Sequence, residues 1–161
     1  MFTVEGVRKF HHWTHASLSL LLDHLASLPT EACERELDSF GFNTIHSQIM
    51  HIFNCEGFWM SILQGQAYID RDPADFPGIP GAVRFQREIG HRTLKFLSTL
   101  TDERLNADNE LNFPDGERAH RTPSLVLHHV FTHAFHHKGQ VVAMCRALGH
   151  PAPDTDLNQF E

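Results

Sequence analysis

The chain lacks most features that would send it to a membrane, a disulfide scaffold or a nucleic acid. Nowhere do about eighteen apolar residues run together, so no membrane-spanning helix is expected. The opening stretch MFTVEGVRKFHHW brings charge and histidine early and has no apolar core segment, so no signal peptide is expected either. Only three cysteines are present, Cys33, Cys55 and Cys145. They are far apart and form no C-x-x-C pair, which argues against both a disulfide framework and a ribbon-type zinc site and fits a reducing cytoplasm. Basic residues are few: 13 Lys and Arg against 20 Asp and Glu give a formal charge of -7, with no local basic run. A phosphate backbone would be repelled, so no nucleic-acid partner is expected. With 161 residues, the chain has the size of one domain, spanning 1–161, with enough length to bury a core.

What is abundant is histidine, with 14 copies that do not form a terminal run. The background against which they stand is helical. Apolar residues recur at helical spacing from about Val4 to Leu28, stopping at Pro29. A second helix, with Asn43 as its expected N-cap, carries Ile45, Ile49, Ile52, Phe53, Trp59 and Ile62 to about Leu63. The segment DRDPADFPGIPG, 70–81, reads as a loop. A third helix follows from Ala82 to Leu100, then two short extended pieces between Asn106 and Arg121 joined by a turn at PDG. A fourth helix from Ser124 to Leu148 is closed by Gly149 and Pro151. The expected fold is therefore all-α, a four-helix bundle with a short extended turn region between the third and fourth helices.

Five histidines fall within HHVFTHAFHHKGQ, 128–140, on the fourth helix. At roughly 100° per residue, His133 and His137 lie nearest the apolar arc of Val126, Val130, Ala134, Val141 and Met144, while His128 and His136 fall on flanks open to water. His129, His133 and His137 together span about 12 Å along the axis, too far for one ion. An i, i+4 pair can converge on a metal at about 2.0–2.1 Å, as the two histidines of H-E-x-x-H do. Wheel position favours His133 with His137 over His129 with His133. The pair alone occurs by chance in a histidine-rich helix, so a third ligand must come from elsewhere. On the second helix His51 shares a face with Ile52, Cys55, Phe58, Trp59 and Ile62, whereas His46 points the other way and is expected to be exposed. Three inward imidazoles are individually awkward to bury and jointly satisfied by one ion. His51, His133 and His137 would leave an open position, the pattern of catalytic zinc. Cys55, one turn beyond His51, could close that position as a fourth, thiolate ligand, or be a small core residue.

With these positions in view, the chain resembles the DinB-like (damage-inducible) family of metal-binding four-helix bundles. The resemblance rests on W-T-H at 13–15, on S-F-G-F-N-T-I leading into M-H-I-F-N-C-E-G-F-W, and on H-H-V-F-T-H-A-F-H-H-K-G-Q followed by R-A-L-G-H-P-A-P-D-T-D-L. It implies a metal held by a helix-two histidine and the H-x-x-x-H pair, which maps onto His51, His133 and His137. At the position of Cys55 such proteins usually carry alanine or another small residue. The resemblance also implies a thiol-dependent activity: the relatives include bacillithiol or glutathione S-transferases and a mycothiol-dependent isomerase.

Two functions follow as expectations. One is a metal-dependent S-transferase or hydrolase acting on a small molecule, with one divalent ion, zinc or nickel foremost, a low-molecular-weight thiol as cosubstrate, and Glu56 or His129 as acid–base candidates. The other is a non-catalytic protein with a structural or sensing metal. A di-iron bundle would need further Glu-x-x-His motifs, and only Glu88 to His91 fits. His11, His12 and His15 are expected to form a mostly solvated patch, or His15 to near the site, and Gly139 a close helix approach. The aromatics Phe10, Trp13, Phe53 and Phe58 exceed what one thin bundle easily buries and lead us to expect a homodimer.

Overall fold

The computed structural model describes residues 1–68 and 70–160. Four long helices carry it: α1 (Val4–Ala26), α3 (Ile45–Leu63), α4 (Gly78–Leu97) and α6 (Pro123–Ala147). Between them lie two short helices that sequence periodicity does not reveal, α2 (Thr30–Glu34) and α5 (Asp102–Asn106), and the strands β1 (Asn109–Asn112) and β2 (Arg118–Arg121). The strands pair antiparallel with Leu111 opposite Ala119, which is the extended turn region expected from the sequence. Each helix start has its own chemistry. Thr3 Oγ1 accepts from Gly6 N, and Thr122 Oγ1 accepts from Leu125 N with Pro123 in the first turn. For α3 the cap is Thr44, not Asn43: Thr44 and Ser47 close a reciprocal capping box that a serine in place of the usual Glu or Gln hides from a motif search. Helix α6 ends as expected at Gly149, φ +83°, where His150 N donates to Cys145 O and Gly149 N to Arg146 O in a Schellman arrangement.

Helix α4 begins at Gly78, four residues before the expected start, and absorbs the end of the expected loop. Pro80 is compatible because the first turn of a helix has no intrahelical use for its missing N–H. Gly81 is required there for another reason: a Cβ would stand 2.2 Å from the Phe76 carbonyl carbon.

The long helices form a square in which α3 and α1 each pack against both α4 and α6 and therefore lie diagonally opposite. The main core joins Leu18, Leu21, Leu22 and Leu25 of α1 to Ile49 and Phe53 of α3, Phe85 and Ile89 of α4, and Val141 and Met144 of α6. A second cluster around Val7, Met60, Leu97 and Phe131 continues toward the other end. Phe53 is fully buried in the main core and has no surface to offer a second subunit; Phe10, Trp13 and Phe58 are half-buried. Gly139 is exposed with open space above it, so the close helix approach expected there is absent. Among the described residues no helix is long and apolar enough to cross a membrane.

Candidate metal centre

The packing of α3 corrects the wheel reading of that helix. Its buried residues Ile49, Phe53, Glu56 and Met60 lie roughly 140–200° around from His51, so the side that carries His51, Cys55 and Phe58 is a half-buried flank and not the core face. A helix with two neighbours in a square bundle has apolar residues nearly all round, and the period alone does not say which side meets the centre. His46 is the counterpart of this error. It is buried at 6 % exposure: Nε2 meets Phe76 O at 2.9 Å and Nδ1 meets Glu34 Oε1 at 3.3 Å, tying α3 to α2 and to the loop before α4.

The flank of α3 faces α6, and there the three sequence-selected histidines meet. His51 Nε2 lies 3.1 Å from His133 Nε2, and the His137 ring centre is 4.3 Å from that of His133 and 4.5 Å from that of His51. One ligand atom from each of the three falls within 4.8 Å of the others, so the group could hold a metal ion. The 3.1 Å separation is close to the ~3.3 Å between ligands of a tetrahedral ion bound at about 2.0–2.1 Å. Protonation is disfavoured at all three imidazoles. Burial lowers the His133 pKa to about 3, with His137 and His51 adding to it. Burial and then His137 lower that of His51, and burial lowers that of His137. A neutral imidazole is the form a metal requires.

The surroundings fix the rings. Phe42, just before α3, stacks on His51 at 4.0 Å between ring centres. Gln48, buried one turn before His51, contacts His137 Nδ1 at 2.8 Å through its side-chain amide and also contacts Gln140. Its Oε1 is buried without a partner. Turning the two glutamine amides over gives that oxygen the His137 Nδ1–H to accept and leaves the His137 Nε2 lone pair free, the usual arrangement behind a metal-bound histidine. The buried His133 Nδ1 has no such partner.

His51 also stands in the wall of an open cavity of 720 Å³, with Phe42, Met50, Asn54, Cys55 and Phe58 on the α3 side and residues 70–73 opposite. Asn54 anchors that opposite wall: its Nδ2 donates to Arg71 O, and its Oδ1 accepts from Arg71 N and from the Tyr68 hydroxyl. Gly57 makes room for Tyr68, since a Cβ there would lie 2.7 Å from the phenol oxygen.

The other sequence candidates separate from this group. Cys55 lines the cavity but is not among the converging donors, and burial, with the Glu56 charge, pushes its thiol up to about 12. His129 is exposed, with its ring edge-on to Trp59 at 5.4 Å and 5.9 Å from that of His133. Glu56 points away from the cavity into the bundle, where it bonds His11, His15 and Thr93, so it offers no acid–base group to this site. His128 turns to Ser124 O and packs on Phe2, and His136 is exposed.

The sequence as a whole matches a known family. The sequence profile of the DinB family covers residues 1–161. The chain belongs to the DinB family. It is 24% identical over 148 residues to Protein DinB of Bacillus subtilis (strain 168), covering 87% of this chain and 84% of that protein. A crystal structure of a DinB-like protein from Bacillus cereus ATCC 10987 superposes with a TM-score of 0.62 at 23% identity, covering 96% of this chain and 99% of the other, and shows the same all-α fold. Gln48, Asn54, Tyr68 and Phe42 were not singled out in the sequence. Gln48 could have been, because it stands only about 60° from His51 on the helix wheel.

Proposed function

We propose that this DinB-family protein binds one divalent ion, zinc or nickel, through His51, His133 and His137 and uses it as a small-molecule S-transferase or hydrolase. The observation that carries the reading is the convergence of three imidazoles, one of which, His51, stands in the wall of an open cavity. When bound, such an ion lowers the pKa of a coordinated thiol or water and supplies a nucleophile at neutral pH. The chain's own part is to hold the rings. Phe42 and Gln48 restrain His51 and His137, and the Asn54–Arg71 bonds keep the facing loop in place while a substrate enters. Three neutral ligands leave the ion its full charge, which favours a thiolate as the incoming group. Cobalt substitution tests this. We expect no thiolate charge-transfer band at rest and its appearance on titration with a low-molecular-weight thiol; a resting band lost in Cys55→Ser would move the protein to the structural-metal reading. The position of Cys55 outside the histidine group supports the open site.

A further inference from the structure

A second set of metal-ligating side chains lies inside the bundle, away from the cavity. His11 and His15 stand one turn apart on α1, and Glu56 reaches them from α3, across the diagonal of the square. His11 Nε2 is 3.2 Å from Glu56 Oε1 and His15 Nε2 is 3.0 Å from Oε2, so each carboxylate oxygen faces one imidazole. Thr93 Oγ1 on α4 donates to Oε1 at 2.5 Å. The ligand layout repeats that of the first centre: an i, i+4 histidine pair on one helix and a single ligand from α3.

We propose that His11, His15 and Glu56 form a second divalent-metal site, a two-histidine, one-carboxylate set suited to zinc, iron(II) or manganese(II). Four observations carry it. The ligand atoms lie within 4.8 Å of one another, and the 3.0–3.2 Å nitrogen–oxygen spacings are those across the coordination shell of an ion bound at about 2.0–2.2 Å. Glu56 is 4 % exposed and, among the described residues, no lysine or arginine pairs with it. A buried anion with only imidazoles and a hydroxyl around it is costly, and a cation placed among them removes that cost. The hydrogen-bond network is also incomplete, since His11 Nδ1 is buried without a partner. Finally, the site has a route to solvent: a 380 Å³ cavity is bordered by His11, His12, His15, Gln86, Gly90 and His91. Gly90 is what lets His15 sit there, because a Cβ would stand 2.9 Å from its ring.

The test uses the full chain purified without a nickel column, stripped of metal, loaded with a modest excess of zinc and desalted. The wild type should retain two equivalents. A His51→Ala/His133→Ala variant, which removes the first centre, should retain one, and adding His15→Ala or Glu56→Gln should bring it to none while circular dichroism stays helical. His15→Asn serves if either change prevents folding, because His15 is only half-buried. The proposal is overturned if the double variant retains no zinc. It is equally overturned if the zinc it retains is indifferent to His15 and Glu56, which would assign it to adventitious surface imidazoles. A wild type that retains a single equivalent, unchanged in His51→Ala/His133→Ala and lost in His15→Ala, would count against the proposed function and leave this second site standing.

Discussion

Gln48 offers a perturbation that touches the metal centre without removing a ligand. Gln48→Met keeps the volume of this buried side chain and deletes its bond to His137 Nδ1. Two effects follow. Losing one buried hydrogen bond should lower the stability of the metal-free protein by about 1 kcal/mol. Losing the group that orients a ligating imidazole should weaken metal binding roughly 10–100-fold, or ~1.4–2.7 kcal/mol. Gln48→Glu separates the two, since a carboxylate still accepts from Nδ1–H and makes the ring a better donor. It should bind zinc at least as tightly as the wild type. The assay is competition for zinc against a chromophoric chelator at fixed pH. If Gln48→Met bound zinc as tightly as the wild type, the amide would not be supporting a ligand and the orientation argued for His137 would be wrong.

Four further outcomes are expected. With its pKa raised from 9.0 to about 12, Cys55 should alkylate with iodoacetamide roughly a thousandfold more slowly than an unperturbed thiol at pH 8, although it lines a cavity; peptide mass spectrometry reads the rate. Metal-free protein should lose thermal stability on acidification: His133 is harder to protonate folded than unfolded, so its contribution is present above about 6.5 and is lost as the pH falls toward 3, a trend melting curves between pH 7 and pH 4 would show. Gly57→Ala should cost about 1–3 kcal/mol by driving Tyr68 from its seat, seen as a lower denaturation midpoint. A homodimer remains our expectation from half-buried Phe10, Trp13 and Phe58, and a monomer mass by light scattering at micromolar concentration would refute it.

The long helices were legible because 3.6-residue periodicity persists over many turns, and the hairpin because PDG marks its turn. The short helices α2 and α5 have only five residues each, too few for a period to register. The His133 and His137 pair was legible because spacing on one helix is a property of sequence. The direction of α3 was not, because its burial depends on two neighbours at once, and this misplaced His46. The network of His11, His15 and Glu56 escaped for a related reason. Its members lie 45 and 41 residues apart across a diagonal of the bundle, and the histidines by themselves look like a solvated patch.

The central claim is most directly tested by metal analysis of wild type and His133→Ala, expressed without an affinity nickel column and measured by elemental mass spectrometry alongside a His136→Ala control. His133 Nε2 lies 3.1 Å from His51 Nε2 and its ring centre 4.3 Å from that of His137, so its removal should sharply cut the metal held at this centre while His136→Ala leaves it unchanged. Full occupancy in a His51→Ala, His133→Ala or His137→Ala variant would contradict the account.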